Sequence, residues 1–461
     1  MKRYPRFTTV FSILIFLACM TVTSFSQSDV TISNPSAEYL RTSPLSLNGN
    51  SALQPLPITS DRTLDFPIGQ PTSGAAISVN TNSGKVNHGD GGSGAGVQGA
   101  SRTLEGTSPG GNIFGLTTVP TFQGAFFTGS QFNFTMIGNH PLAGHRTTLP
   151  AQITSVSLRL LNANGTVNLD VPNAPFEDLT LDSPVFEESN YRSGHHIQFA
   201  DAIQRAEFFH MMDEDWHTVL HPRIVDRQTT SIPPTVLVNF GGGVIKPVPA
   251  YIIVNRGKAN QFVAVLDLLF NQLNFNTTVT EILAGNYTSD ALTINIYPNT
   301  FLFSINSQGQ IAGCCVLGFH SYVLSDEPTT EQRWITVFAS WTSPGIFGGG
   351  TQDITPLSHE ISEAFNDPFV DNATPVWQFP GVPATAKICQ DNLETGDPAE
   401  VLPVGVVPIT LRERREVFTY HPQTEALLQW FEMGATSNAI DGAFSFPDET
   451  ALPHSALPCP K

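Results

Sequence analysis

The residues best placed to do chemistry lie in Thr355-Pro356-Leu357-Ser358-His359-Glu360-Ile361-Ser362-Glu363-Ala364-Phe365-Asn366-Asp367-Pro368. An imidazole, His359, and a carboxylate, Glu363, stand four positions apart, with a second carboxylate, Glu360, directly after the histidine. On a helix, positions four apart lie side by side one turn apart, so His359 and Glu363 can grip a single metal ion. The His-Glu-x-x-His helix of zinc peptidases works in this way, its Glu polarising the metal-bound water. Here Glu363 replaces the second histidine with an oxygen ligand that zinc accepts but does not demand. Glu360 keeps the general-base position.

Two protein ligands are too few for zinc, so a third must come from elsewhere. Glu394-Thr395-Gly396-Asp397-Pro398, shortly after Cys389, is the best donor, with Glu394 the first choice and Asp397 the second. His320, in Gly318-Phe319-His320 at the end of an apolar stretch, is a further candidate. Zinc is the expected ion. A carboxylate in place of histidine weakens zinc selectivity, and calcium in a purely structural site is the alternative. The plain rival reading is a solvated helix face, because His-Glu-x-x-Glu arises often by chance.

The elements that must position these groups can be traced along the chain. Thr355 as N-cap and Pro356 as first helical residue open a short helix. Asp367-Pro368 closes it, since the residue before proline is pushed out of the helical region. Leu357, Ile361, Ala364 and Phe365 form its apolar face. Upstream, Trp334 to Trp341 (WITVFASW) is β-branched and aromatic, hence a strand; in a zincin-like core it is the edge along which a peptide substrate lies. Leu292 to Ile296 alternates as a strand, Ile311 to Tyr322 is apolar and punctuated by glycine, and Ile153 to Leu161 turns at Asn164-Gly165 into Val167 and Leu169. Gln198 to Phe209 carries apolar residues at helical spacing, and Gln261 to Leu273 reads as a second helix. Asp201 and Arg205 then fall at salt-bridge spacing. The fold class is α+β, strands first and the motif helix late. No internal repeat is visible.

His359-Glu360-x-x-Glu363-Ala364, Asp367-Pro368, Trp377 and Glu394-x-Gly396-Asp397-Pro398 together resemble a group of uncharacterised secreted bacterial proteins, from about Thr118 to the C-terminus. Between His359 and Asp397 the chain is also similar, more distantly, to the plant phosphate-induced (Exordium-type) cell-wall proteins. The resemblance implies a zincin-like peptidase core. This chain departs from the plant pattern in having Cys389 before the acidic loop, which leaves the third ligand open.

Lys2, Arg3 and Arg6 followed by apolar Val10 to Met20, with small residues at Ser24 and Ser26, read as a signal peptide over 1–26. Lipidation at Cys19 is the rival reading. Residues 27–115, rich in Ser, Asn and Gly, read as a flexible region, followed by a strand-rich α+β part (116–305) and a metal-binding, zincin-like part (306–461). No later segment has the apolar length to span a bilayer, so the expected location is extracellular or periplasmic. Without the leader, 19 basic residues face 40 acidic ones, a surface that repels nucleic acid. Four cysteines remain, Cys314, Cys315, Cys389 and Cys459. A ring between neighbours Cys314 and Cys315 is discounted as strained; each of them then either staples Cys389 or Cys459 onto its strand or stays a free thiol. Other histidines read blandly: His195-His196 as a loop and cap feature, His217 as a packed residue, His421 and His454 as loop residues. No Gly-x-Ser-x-Gly elbow, phosphate-cradling loop or cysteine nucleophile is present. The leading expectation is a secreted metal-dependent peptidase acting on a peptide or protein. The alternative is a non-catalytic envelope or binding protein, with a structural metal or none; oligomeric state is open.

Overall fold

The computed structural model describes residues 31–32, 53–55, 116–119, 134–191, 196–240, 244–306, 308–325, 333–347, 350–381, 388–400, 402, 405–413 and 416–460. The expected leader with Cys19, most of the expected flexible region and His195 lie outside the described residues. Among the described residues, no helix is long and apolar enough to cross a membrane.

The fold is mixed α+β and strand-rich. Its centre is a seven-stranded sheet in the order Leu53–Pro55, Gly318–Ser325, Arg333–Trp341, Leu292–Pro298, Arg146–Leu161 and Val167–Val171, with His217–Ile232 also paired to Arg146–Leu161. Leu292–Pro298 runs parallel to both of its neighbours and all of its residues are buried. A parallel strand covered on both faces has no solvent side to give it an alternating sequence. Alternation instead divides its side chains between two layers. Ile294 and Ile296, with Ile335, Val337 and Ala339 of the next strand, face Leu357, Ile361, Ala364 and Phe365 of the motif helix. Asn295, Tyr297 and Phe338 face the other way, toward the helix Asp267–Ala284. The apolar face of the motif helix is therefore the one the sequence marks, and each large aliphatic or aromatic side chain buried there stabilises by roughly 1.5–3 kcal/mol.

Several expectations need correcting. Arg333–Trp341 is not an edge strand: Gly318–Ser325 pairs with it on one side and Leu292–Pro298 on the other, so no backbone ladder is open there for a substrate. Phe262–Leu266 is a strand, not the start of a helix. It pairs with Tyr251–Val254 and Thr300–Ile305 and is wholly buried, and a short, continuous apolar run satisfies helix and buried strand alike. The helix begins at Asp267 and runs to Ala284, capped by left-handed Gly285. The expected boundary at 305/306 is crossed by the central sheet, which takes strands from both sides of it.

The cysteines also pair otherwise. Cys314 bonds to Cys315 across a cis peptide, with Cα atoms 3.0 Å apart. Cys389 bonds to Cys459, whose Cα lies 5.9 Å away. Cys389 and the segment leading to Cys459 flank the same strand, Ala373–Gln378. Cys314 and Cys315 sit in another sheet, in Ile311–Val316.

Candidate metal centre

The motif helix spans Thr355–Asn366, with Pro356 in its first turn. Thr355 is inside the helix and not its cap; its hydroxyl donates to the Gln352 carbonyl at 2.7 Å. The approach is fixed by Asp353, whose Oδ1 accepts from the Ile354 and His421 N–H groups at 2.7 and 2.8 Å. Its Oδ2 lies 2.6 Å from His421 Nδ1. The exit is at Asp367, as the Asp-Pro pair dictates. The Asp367 N–H donates to the Glu363 carbonyl at 2.6 Å, and its carboxylate accepts from the N–H groups of Asp371 and Asn372.

Every residue of this helix is buried, its polar face included. Over that face lie Glu394-Thr395-Gly396-Asp397 and Gln423-Thr424-Glu425. The Ser362 and Thr395 hydroxyls are 3.1 Å apart, and the Gly396 N–H donates to Glu363 Oε1 at 3.1 Å. Gln423 Nε2 donates to the Gly396 carbonyl at 2.6 Å, and the Ala426 N–H to the Thr395 carbonyl at 2.7 Å.

Two groups of ligand atoms converge within this cover, and Glu363 belongs to both. In the first, His359 Nε2 lies 3.0 Å from Glu363 Oε1 and 3.8 Å from Asp397 Oδ1. In the second, His320 Nδ1 lies 3.4 Å from Glu363 Oε2 and 3.7 Å from Glu360 Oε2. Ligands bonded at about 2.1 Å around a tetrahedral zinc stand about 3.4 Å from one another, so both sets have the spacing of a coordination shell.

Neighbouring groups aim the ligands. His320 Nε2 donates to the Asp367 carbonyl at 3.0 Å, which turns Nδ1 toward the carboxylates and fixes the tautomer that a ligand needs. Gln390 Nε2 donates to Asp397 Oδ2 at 2.6 Å, leaving Oδ1 as the oxygen toward His359. Two glycines make room. A Cβ on Gly318 would stand 2.6 Å from Glu360 Oε1, and one on Gly396 would stand 2.4 Å from the His359 ring.

Electrostatics mark the set as short of positive charge. Burial works against the charged form of His359, but Glu363, Glu360 and Glu425 outweigh it and raise the imidazole well above its ordinary pKa. Burial likewise pushes Glu363 up, yet His359 and His320 together pull it down to about 2. Glu425 is raised well above the carboxylate range by burial, only partly offset by His359 and reinforced by Glu363, Glu360 and Asp397. Glu425 is completely buried and neither of its oxygens has a hydrogen-bond partner.

Of the sequence candidates, His359, Glu360, Glu363, Asp397 and His320 come together, while Glu394 lies outside both groups. Glu394 is buried, but its Oε1 takes the Asn392 side-chain amide. Glu425 is the residue the sequence did not single out. Its only signal is a carboxylate opening the apolar run Ala426-Leu427-Leu428 with no basic residue beside it. The other histidines stand apart. His196 is exposed beside Glu188 at 3.2 Å, and His217 lies 2.7 Å from Asp201. Asp201 thus pairs with His217 and the Thr218 N–H, and not with Arg205, which donates to the carbonyls of Glu214 and Trp216. His421, read as a plain loop residue, braces the start of the motif helix. The chain matches no protein-family model, no curated protein and no solved structure.

Proposed function

We propose that this chain is an exported metal-dependent hydrolase of zincin type, acting on peptide bonds, with zinc held by His359, Glu363 and Asp397. The observation that carries the reading is the convergence of His359 Nε2, Glu363 Oε1 and Asp397 Oδ1 on the buried face of a His-Glu-x-x-Glu helix. One imidazole and two carboxylates are donors that zinc accepts. Zinc there would act as a Lewis acid toward water or a carbonyl oxygen. Glu360, beside His359 on the helix, is the group to take the proton, and Glu425 adds a further carboxylate that a merely structural site does not need. The Cys389–Cys459 bond is compatible with an oxidising compartment.

A second reading has an observation of its own. His320, His359, Glu360, Glu363 and Asp397 are all fully enclosed, and a closed set of protein ligands is the mark of a structural metal site. In that case the chain is an extracellular binding protein, and calcium is the alternative ion. Zinc content and hydrolysis of an unfolded protein substrate, measured on wild type and Glu360→Gln, separate the two. The hydrolase reading expects cleavage that falls by about 10²-fold or more in Glu360→Gln, with the His359 zinc retained. Bound metal without cleavage in either preparation supports the structural centre, and absence of metal removes the hydrolase and leaves a non-catalytic binding protein without a metal.

A further inference from the structure

We propose that the centre is dinuclear, with Glu363 bridging one cation on His359 and Asp397 to a second on His320 and Glu360. The inference rests on the metal-centre reading above and adds a second position to it. There His320 gains a ligand role, and Glu360 becomes a ligand instead of the general base.

The geometry of Glu363 points to a bridge. Its two oxygens serve different histidines, Oε1 at 3.0 Å from His359 Nε2 and Oε2 at 3.4 Å from His320 Nδ1. A carboxylate that binds one ion with one oxygen and a second ion with the other holds them at the separation of two-metal sites, about 3.5–4 Å. Each end is completed by a different carboxylate, Asp397 on the His359 side and Glu360 on the His320 side. His320 is oriented as a ligand is, with Nε2 tied to the Asp367 carbonyl at 3.0 Å and Nδ1 directed inward. A histidine serving only to neutralise a carboxylate has no need of that arrangement.

Charge points the same way. Glu360, Glu363, Asp397 and Glu425 are completely buried together, with His320 and His359 among them. An uncompensated buried ion costs several kcal/mol. The two ligand sets offer three carboxylates, Glu360, Glu363 and Asp397, one more than a single divalent cation balances. Beside them Glu425 is wholly enclosed and without a hydrogen-bond partner. With Glu360 ligating, Glu425 is the carboxylate left outside both ligand sets.

The test counts and spaces the ions. The chain is loaded with zinc, freed of excess and assayed for metal per chain, and separately loaded with manganese(II) for electron paramagnetic resonance. The dinuclear centre gives about two zinc ions per chain and a spin-coupled manganese signal. His320→Ala then keeps about one ion with an isolated-ion spectrum, Asp397→Ala does the same, and Glu363→Ala loses both. A wild-type chain saturating at one zinc, with an uncoupled manganese spectrum, overturns the bridge but leaves the mononuclear reading standing. No bound metal in the wild type overturns both. Stoichiometry and coupling are read on the unsubstituted chain, so the outcome does not depend on whether a variant folds.

Discussion

The central sheet carries a buried polar cluster on each face, and the two are built on opposite terms. On the face toward the helix Asp267–Ala284 the cluster is neutral and closed. Asn295 Nδ2 donates to Asn274 Oδ1 at 3.0 Å and to Thr278 Oγ1 at 2.9 Å, while Tyr287 donates to Asn295 Oδ1 at 2.9 Å. Tyr297 donates to Asn274 Oδ1 at 3.4 Å. These donors find acceptors within the protein, which is what a polar network must do to rigidify a core. On the face toward the motif helix the cluster is charged and unbalanced. Four carboxylates surround two histidines, and Glu425 has no hydrogen-bond partner at all. The contrast separates polar groups that serve the fold from polar groups that suit a ligand. The first set is balanced by its own neighbours. The second would be balanced by the proposed cation.

Metal removal should act on the two clusters most unequally. A ligand at a thousandfold its Kd stabilises the folded state by about 4 kcal/mol, so treatment with a strong chelator should lower the unfolding midpoint by a comparable amount and zinc should restore it. In Glu363→Ala, chelator and zinc should both be without effect on the midpoint.

Next comes Gly396→Ala, whose Cβ has no room beside the His359 ring. Displacing a ligand from its supported position typically costs about 10- to 100-fold in metal affinity, to be read by competition against a chelating dye. Gly318→Ala should act in the same direction, because its Cβ would stand 2.6 Å from Glu360 Oε1 and 2.7 Å from Glu360 Cγ. Asn295→Ala, in the neutral cluster, should cost about 1–2 kcal/mol of stability by denaturant titration and leave zinc binding unchanged. If Asn295→Ala loses zinc as fully as Glu363→Ala does, the two clusters are not independent and the contrast fails.

A pH dependence beside the motif helix should be the weakest effect per step. Glu207 accepts from Asn366 Nδ2 and from the Leu428 N–H, both at 3.2 Å, and burial raises its pKa from 4.5 to about 8. The folded state then holds a proton that the unfolded chain releases above about 4.5. Its contribution is fully present below that pH, weakens as pH rises by at most about 1.4 kcal/mol per unit, and is gone above about 8. Glu207→Gln should flatten this part of the stability profile, measured by denaturant titration from pH 5 to about 8.

What the sequence disclosed was local. The apolar face Leu357, Ile361, Ala364 and Phe365, the stop at Asp367-Pro368 and the helix around Ala202 and Ala206 follow from periodicity and from proline, which act over a few residues. Misreadings gathered wherever distant partners decide. Phe262–Leu266 is a strand only because Tyr251–Val254 and Thr300–Ile305 lie beside it. Arg333–Trp341 is interior only because Leu292–Pro298, some forty residues earlier, lies on the side that its neighbour Gly318–Ser325 leaves open. The cysteine pairing follows from which sheet each residue enters. In the candidate site, the i,i+4 pair His359 and Glu363 could be read directly. The placing of Asp397 over Glu394 depends on Gln390 and Asn392, and the presence of Glu425 depends on how the segment after Pro422 folds back over the helix.

Whether the charged cluster holds a metal is decided by elemental analysis of the purified chain, offered zinc and then freed of excess, beside His359→Ala and Asn295→Ala. Zinc should be retained by the wild type and by Asn295→Ala, and lost or sharply reduced in His359→Ala. A wild-type chain that holds no metal, even after zinc is offered, would contradict the metal centre and leave the buried charges of the motif helix balanced by protons alone.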